Sequence, residues 1–393
     1  MSKLIPTQFL MLFLILSSTS YGRFKNVFNV PSKNAVYALE TNDSIVFAGT
    51  GGSGIYRSND FGNTWVGINN GIQPWYYYSL LSINDSLFAG SFGYVHVSFD
   101  NGDSWTDMNI GLQLNDCIFT LEKKDQYLFA GTRNKGVYSC LLSSGSWSAS
   151  NNGLHLNPIV NDLLALGTDI YAATDSGLYK SIDNAATWVL KDSGLSSQLE
   201  VNKIFQYNSI LLAGTSNGLF KSLDWGENWI SSGSGLPLGS NVRSFTEMND
   251  TIFLGTYSSL FSSSDLGNSW SPFNLGLPGV SPVYSLTTSS NYLFAGTGGV
   301  IYLHESTPLS IDQLNNNSHN KITIYPNPTS HQLSIVSTQI DINEIQIIDK
   351  TGKIIKTIKQ NTNIIDVANL SNGIYFIKLI TVEKTIIKKF VKQ

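Results

Sequence analysis

The acidic side chains that could do chemistry in this 393-residue chain are few and widely spaced. An internal repeat is expected to bring Asp116, Asp162 and Asp175 to one face of the fold. Two carboxylates at a suitable separation can hydrolyse a glycosidic bond. Asp162 has a second interpretation, because Lys203 occupies the equivalent position one repeat later. The two could line the mouth of a central channel, or they could form a structural ion pair between neighbouring sheets, which we favour.

A second candidate site is aromatic and centres on the run Trp75-Tyr76-Tyr77-Tyr78. Tyr78 is assigned to a strand, with Tyr77 as a further candidate for the same core, whereas Trp75 and Tyr76 are expected to be exposed. Exposed aromatic rings can stack on sugars or peptides. The alternative is a plug that packs over the top of the fold. The predicted ligand-binding residues are Trp75, Tyr76, Tyr94, Arg133, His155, Asp162, Asp175, Lys203, Arg243 and Tyr257.

The composition excludes several classes of protein. A formal net charge of -4 argues against a nucleic-acid-binding protein, which needs a basic face. Two cysteines and five scattered histidines argue against a disulfide scaffold or a metal centre, so neither a metal nor a cofactor is expected. Hydrophobic residues make up 42% of the chain, which is enough apolar surface for a folded core.

A short strand-like motif of the type Leu-Phe-Ala-Gly-Thr recurs seven times. Its fourth residue falls at Gly49, Gly90, Gly131, Ala173, Gly214, Gly255 and Gly296, with a spacing of 41 residues, or 42 in one case. Each repeat reads as four short strands, which is typical of one blade of a β-propeller. We therefore predict an all-β fold with a seven-bladed β-propeller over residues 23–304. The last repeat stops after its third strand, and residues 24–30 are expected to supply its missing outermost strand.

Before the fourth strand, most repeats contain a polar turn of the pattern S-x-D-x-G-x-[ST]-W, here called the Ser–Asp turn. Glycine suits the positive φ that such a turn needs, and the aspartate can accept hydrogen bonds from nearby backbone amides. The fourth repeat has Ala185 in place of glycine, and the third keeps only Ser146-Trp147. The predicted structural residues are Asp60, Trp65, Asp100, Trp105, Asp183, Trp188, Asp224, Trp229, Asp265 and Trp270.

This turn resembles the Asp-box of sialidases, sortilin-like receptors, xyloglucan-cleaving glycosidases and photosystem-assembly propellers. The resemblance implies a propeller in which the Asp-box is structural and lies opposite the ligand face. Sialidases use an arginine triad with a tyrosine nucleophile, and only two candidates remain here, Arg133 and Arg243. Arg57 falls in a Ser–Asp turn and Arg23 lies at the N-terminal strand. The resemblance thus indicates a fold but disfavours sialidase chemistry.

The blade assignment also predicts the state of the two cysteines. Cys117 is placed at the start of a first strand and Cys140 at the end of a third strand, at opposite faces. A disulfide requires Cα atoms within about 7 Å, so two free and mostly buried thiols are expected.

The N-terminus reads as a secretory signal peptide over residues 1–22. Lys3 precedes an apolar run at residues 9–16, which is too short to span a membrane, and small residues follow it. No later stretch is long and apolar enough for a membrane span.

The C-terminal part differs in charge from the rest. Residues 23–320 carry 13 basic and 23 acidic residues, whereas residues 321–393 carry 10 and 5. Residues 305–320 read as a polar linker. Six strands are predicted in the C-terminal part, forming a small Ig-like β-sandwich: residues 322–325, 332–336, 344–348, 353–358, 374–380 and 385–391.

This C-terminal module resembles the type A sorting domain of the type IX secretion system. The matching residues are Tyr325-Pro326-Asn327-Pro328, Asp349-Lys350-Thr351-Gly352-Lys353, Leu370-Ser371-Asn372-Gly373-Ile374-Tyr375 and Lys388-Lys389-Phe390-Val391-Lys392. The resemblance implies that the secretion machinery is a partner of residues 321–393. It also implies that the protein is secreted or attached to the surface of a Gram-negative bacterium.

These features together favour an exported propeller that binds a glycan or a protein. The alternative is a glycan-degrading hydrolase that uses carboxylates such as Asp162 and Asp175 on the ligand face.

Overall fold

The computed structural model describes residues 23–31, 33–73, 75–113, 115–195, 199–306, 322–325, 329–337, 342–349, 353–359, 364–381 and 385–393. These residues form strands, turns and loops without a helix, which confirms the predicted all-β class. Contacts divide the chain into two compact units, Met1–Ser306 and Thr307–Gln393. The predicted signal peptide and nearly all of the predicted linker lie outside the described residues, so their boundaries stay predictions.

The described part of the first unit contains seven four-stranded antiparallel sheets, numbered 1 to 7 along the chain. Strand β1 (Lys25–Asn29) comes first and belongs to sheet 7. Sheets 1 to 3 comprise β2 (Val36–Asn42), β3 (Ile45–Thr50), β4 (Ile55–Ser58), β5 (Val66–Gly67); β6 (Tyr77–Ile83), β7 (Ser86–Ser91), β8 (Val95–Ser98), β9 (Thr106–Asp107); β10 (Ile118–Lys124), β11 (Tyr127–Thr132), β12 (Val137–Leu141) and β13 (Ser146–Ala149). Sheets 4 and 5 comprise β14 (Val160–Leu166), β15 (Asp169–Thr174), β16 (Gly177–Ser181), β17 (Val189–Leu190); β18 (Val201–Tyr207), β19 (Ile210–Thr215), β20 (Gly218–Ser222) and β21 (Ile230–Ser231). Sheets 6 and 7 comprise β22 (Val242–Met248), β23 (Thr251–Thr256), β24 (Leu260–Ser263), β25 (Ser271–Pro272); β26 (Ser285–Ser289), β27 (Tyr292–Gly296), β28 (Val300–Glu305) and β1.

The sheets follow one another in a closed series. The first strand of each sheet contacts the first strand of the next, and β26 of the last sheet contacts β2 of the first. The hydrophobic clusters lie between successive sheets, as where Phe47 and Ile55 of sheet 1 pack with Leu87 of sheet 2. Repeated four-stranded sheets that bury both faces against their neighbours are the arrangement of β-propellers.

Sheet 7 is assembled from two distant parts of the chain. Its outermost strand is β1, which pairs antiparallel with β28, for example Lys25 with Leu303. The prediction that residues 24–30 supply the missing strand is therefore confirmed.

The Ser–Asp turns share one set of hydrogen bonds. In sheet 2, Asp100 Oδ1 accepts from the Ser98 hydroxyl at 2.6 Å and from the Ser104 amide at 2.9 Å. Asp100 Oδ2 accepts from the Ser104 hydroxyl at 2.6 Å, and the Gly102 amide donates to Ser98 Oγ. These bonds to the ionised carboxylate lower the pKa of Asp100 to about 2, the Ser104 hydroxyl contributing most. The same bonding recurs at Asp60, Asp183, Asp224 and Asp265.

In each of sheets 2 to 6, one tryptophan links the sheet to the preceding one. The Trp188 amide donates to the Asn152 carbonyl, and its indole Nε1 donates to the Ser150 carbonyl at 2.8 Å. Four more indoles donate in the same way to the preceding sheet: Trp105 to Ile68, Trp147 to Met108, Trp229 to Lys191 and Trp270 to Ser232. We call this contact the indole latch.

The latch brings two backbones so close that a side chain would not fit. A Cβ on Gly194, whose φ is +90°, would lie 2.0 Å from the Trp229 carbonyl oxygen. Only glycine combines this φ with so close an approach.

The latch is replaced at the two interfaces of sheet 7. The Phe24 amide donates to the Leu275 carbonyl where the other sheets use tryptophan. On the other side, Trp65 stacks on Phe28 with ring centroids 5.4 Å apart, and its indole donates within its own turn to the Gly62 carbonyl. Phe24, which precedes β1, and Phe28 within β1 thus make the contacts at these two interfaces.

The fourth strands differ in length among the sheets. In five sheets the fourth strand is only two residues long and begins directly after the tryptophan, as β17 does after Trp188. In sheet 3, which lacks the Ser–Asp turn, Trp147 lies inside the four-residue β13. In the five sheets that have it, the polar turn therefore stands where a longer fourth strand would otherwise pair with the third.

The cysteines are as expected, since Cys117 and Cys140 are both free and buried.

The described residues of the second unit form two antiparallel sheets. One has the order β29 (Ile322–Tyr325), β30 (Gln332–Ser337), β33 (Ile364–Asp366), and the other has the order β32 (Ile354–Ile358), β31 (Ile342–Asp349), β34 (Gly373–Thr381), β35 (Thr385–Lys392). Buried side chains of both sheets, including Leu333, Ile347 and Phe390, form one core. The six predicted strands are present, and β33 is an additional strand that was not predicted.

The indole latch yields a test of stability. Trp188→Phe removes a buried hydrogen bond between sheets and is expected to lower the free energy of unfolding by about 1–2 kcal/mol more than Trp65→Phe does. Trp65 is the matched control, because its indole bonds only within its own turn. The measurement is urea unfolding of the full chain, followed by circular dichroism. Equal losses for the two variants would show that the latch contributes only through packing.

Candidate functional site

The first strands of sheets 1 to 6 each contain a β-bulge at the same place. In sheet 1 the pairing register shifts between Val36 and Ala38, which leaves Tyr37 as the extra residue. Bulges often re-aim a side chain beside a functional site. The extra residues are Tyr37, Tyr78, Phe119, Asn161, Asn202 and Arg243, and the repeat places Tyr284 at the equivalent position of sheet 7. One side chain per sheet therefore occupies this level of the inner strands.

Four of these side chains form a continuous aromatic series across sheets 7, 1, 2 and 3. The ring centroids of Tyr284 and Tyr37 are 5.7 Å apart, those of Tyr37 and Tyr78 5.3 Å, and those of Tyr78 and Phe119 5.4 Å. All four are half-buried. Tyr257 extends the series at one end, 5.8 Å from Tyr284. These five residues are called the aromatic arc.

More exposed rings lie beside the arc on sheet 2. Tyr76 stacks on Tyr78 at 6.1 Å, and Trp75 contacts Tyr94 at 5.5 Å. Trp75 is 42% exposed and Tyr76 46%, as predicted, whereas Tyr77 is fully buried in the core. Stackable surface thus continues outward from the arc.

The other bulge residues are polar and belong to sheets 4 to 6. Asn161 donates to the Val201 carbonyl, and Asn202 donates to Asn241 Oδ1. Arg243 lies over the Tyr257 ring, 4.5 Å from its centroid, and its Nη1 donates to Asn202 Oδ1 at 3.4 Å. The side chains at the bulge position are therefore aromatic in one half of the sheets and carry amide or guanidinium groups in the other half.

Further along the first strands lies a cluster of buried charge. Asp162 Oδ1 accepts from Lys203 Nζ at 2.7 Å and from the Thr120 hydroxyl, and its Oδ2 accepts from the Ile204 amide. The Asp162 side chain is only 4% exposed. This pair links neighbouring sheets, which supports the structural interpretation of Asp162 and Lys203 over the ligand-binding one.

Two glutamates share the electrostatic environment of this pair. Glu40 accepts from the Ser82 amide, and Glu122 accepts from the Ala165 amide, in each case on the next sheet. Burial raises the pKa of Glu40 to about 7 and that of Glu122 to about 8. For Glu122 the nearby carboxylates of Asp162 and Glu40 act in the same direction. Near neutral pH these side chains therefore hold protons that a free glutamate would release.

The remaining predicted residues do not join the arc. Asp175 accepts from the Ile159 amide at 3.3 Å, while His155 is exposed and bonds the adjacent Leu156 carbonyl. Arg133 is exposed beside Cys117, near the Phe119 end of the arc. Asp116 is buried and accepts hydrogen bonds from Cys117 and Asn134. Of the predicted set, the structure brings Tyr257 and Arg243 to the arc, with Tyr76 beside it, and pairs Trp75 with Tyr94.

Sequence analysis missed Tyr37, Phe119 and Tyr284 as site residues and assigned Tyr78 to a strand and its core instead. The sequence did contain a signal. Each of these aromatic residues directly precedes a position in the first strand that holds a small or polar residue in most of the repeats. The alternation of apolar and polar residues along a strand does not by itself reveal a bulge at that position.

Within the part of the chain that the structure describes, no group of three or more His, Cys, Asp or Glu residues is arranged to hold a metal ion. The same residues contain no helix that is both long and apolar enough to cross a membrane.

Comparison with protein families identifies the C-terminal unit. Residues 323–393 match the secretion system C-terminal sorting domain family. This sorting domain indicates export by type IX secretion, and the protein is secreted or attached to the cell surface. No curated protein matches the chain.

Solved structures resemble the chain in fold. The extracellular domain of the one component system BT4673 from B. thetaiotaomicron superimposes with a TM-score of 0.64 at 15% identity, covering 94% of this chain and 52% of that one. PorZ, a surface component of the type IX secretion system of Porphyromonas gingivalis, gives 0.54 at 13% identity, covering 93% and 60%. The WD40 β-propeller domain of Doa1 gives 0.58 at 14% identity, covering 73% and 98%. The chain thus spans between half and two thirds of the length of the first two, and the likeness is one of β-propeller fold.

The raised glutamate pKa values predict a pH dependence. A carboxyl group with a pKa of 4.5 when unfolded and about 7 or 8 when folded binds its proton more tightly in the fold. Its contribution to stability is therefore full below about pH 4.5 and is lost as the pH rises to about 8. The double variant Glu40→Gln/Glu122→Gln should lack this loss. At roughly 1.4 kcal/mol for each pKa unit, its stability relative to the wild type should rise by about 6 kcal/mol between pH 5 and pH 9.

The measurement is urea unfolding followed by tryptophan fluorescence, which reports on the first unit alone because all eight tryptophans lie between residues 65 and 270. Glu247→Gln, an exposed glutamate on β22, is the control and should follow the wild type. An unchanged pH profile in the double variant would contradict the assignment.

Proposed function

We propose that this protein is an exported glycan-binding propeller whose ligand lies on the aromatic arc. In this proposal residues 1–22 are a signal peptide, residues 23–304 a seven-bladed propeller with Asp-box turns, residues 305–320 a linker, and residues 321–393 an Ig-like sorting sandwich. The seven repeats, the seven closed sheets and the shared hydrogen bonds of the Ser–Asp turns support the propeller part.

The aromatic arc is the observation that carries the binding proposal. Rings about 5–6 Å apart and half-buried offer a row of flat apolar surfaces, each of about the size of a sugar ring. Among the described residues, the hydroxyls of Tyr37, Tyr257 and Tyr284 make no hydrogen bond, so they are available to sugar hydroxyls. Such a surface combines stacking with hydrogen-bond donors, which is what the amphipathic faces of sugars require.

The site favours binding over the hydrolase alternative because its carboxylates are already engaged. Asp162 is held by Lys203, Thr120 and a backbone amide, and Asp116 is buried in a loop. A glycosidase needs two carboxylates that face one substrate across an open site. Asp175 would lack the partner that this mechanism requires.

The sorting unit supports an extracellular location for the aromatic arc. We propose that residues 321–393 engage the secretion machinery, which would place the arc outside the outer membrane, where glycans are abundant.

The experiment is a glycan array with the full chain, followed by titration calorimetry with the strongest oligosaccharide. Tyr37→Ala, at the middle of the arc, is expected to weaken binding about tenfold through lost stacking and packing. Phe99→Ala is the matched control, because Phe99 is a 71% exposed aromatic residue in a Ser–Asp turn outside the arc.

Failure to bind any glycan would contradict the proposal, and so would an equal loss of affinity in the two variants. A third contradicting result would be an arc that binds proteins but no glycan. A reducing-end assay on the same oligosaccharide tests hydrolysis, and turnover that Asp162→Asn abolishes would favour the hydrolase.

A further inference from the structure

Arg243 is a half-buried arginine without a neutralising partner among the described residues. Its guanidinium lies on Tyr257, its Nη1 makes one long bond to Asn202, and its buried Nε has no acceptor. Arg57 also has a bare Nε, but its charge is paired with Asp103 at 2.8 Å. Partial burial of an unpaired charge costs free energy unless a counter-ion arrives.

The orientation of Arg243 is fixed before any ligand binds. The cation–π contact with Tyr257 holds the plane of the guanidinium, and Asn202 holds one edge of it. A planar guanidinium held in this way suits a carboxylate, which can accept two parallel hydrogen bonds.

Arg243 also stands at one end of the aromatic arc. Tyr257 is shared by both, because it carries the guanidinium on its face and contacts Tyr284 at 5.8 Å. A sugar that stacks on this end of the arc would therefore place a ring substituent next to Arg243.

Charge elsewhere in the first unit limits how acidic the ligand can be. Asp162 lies on the same inner strands but is paired with Lys203, so this pair adds no net charge there. Residues 23–320 carry ten more acidic than basic residues. A densely charged polyanion would be repelled, whereas one carboxylate at Arg243 would be attracted.

We propose that the ligand is a mostly neutral oligosaccharide bearing an isolated carboxylate, as in a uronic acid substituent, and that Arg243 determines this specificity. The inference rests on the proposed function, because it presumes that the ligand lies on the arc.

The test compares oligosaccharide probes that carry none, one or many carboxylates. A xylo-oligosaccharide with one glucuronic acid substituent, its neutral parent and a fully charged oligogalacturonate are titrated against the full chain. The singly charged probe is expected to bind about tenfold more tightly than either of the others. Arg243→Gln should abolish this preference by weakening binding of the singly charged probe about tenfold, and Arg243→Lys should restore part of it.

Lys135→Gln is the control for overall charge, because it removes the same charge from an exposed loop residue outside the arc. It should leave the preference intact. Unfolding midpoints by tryptophan fluorescence verify that each variant is folded.

Equal binding of the charged and neutral probes, or a preference that survives Arg243→Gln, would overturn the inference and leave glycan binding standing. Tighter binding of oligogalacturonate would overturn the limit on charge. Binding of no oligosaccharide would refute the proposed function as well.

Discussion

The contact on which the first unit depends is the hydrogen bond from a tryptophan indole to the carbonyl of the preceding sheet. In four of the five sheets that have this contact, the last strand is only two residues long and offers few pairing bonds. The indole supplies both a large buried ring and a donor for a carbonyl that would otherwise lose its partner on burial. Sheet 3 shows that the tryptophan matters more than the turn before it. That sheet has lost the Asp of the turn, and yet Trp147 still donates to Met108.

A rigid ring of this kind can tolerate irregular backbone at its inner strands. The bulge in the first strand of each of sheets 1 to 6 adds one residue without breaking the pairing that follows it, so the type of the extra side chain can vary. Aromatic residues occupy this place in four successive sheets, and two asparagines and an arginine occupy it in the other three. The backbone thus repeats from sheet to sheet, whereas the side chains at the bulge position do not.

Much of the fold was readable from the sequence, because its determinants are local and recur. The position of Gly49 and its six counterparts fixed the length of the repeat, and the serine, aspartate and tryptophan of each turn predicted where the third strand would end. The site was harder to predict. Trp75 and Tyr76 stood out as a run, but Tyr284 and Tyr37 are about 250 residues apart in sequence and meet only because the first and last sheets are neighbours. The pairing of Asp162 with Lys203 could be anticipated, whereas the lack of a partner for Arg243 is a property of three-dimensional packing.

The two-part construction of sheet 7 has a kinetic consequence. Strand β1 must find β28 across nearly 280 residues, so loop-closure entropy opposes this contact more than any pairing within a repeat. Ring closure is therefore expected to come late, after the individual hairpins have formed. A chain without β1 would expose the edge of β28 to strands of other molecules.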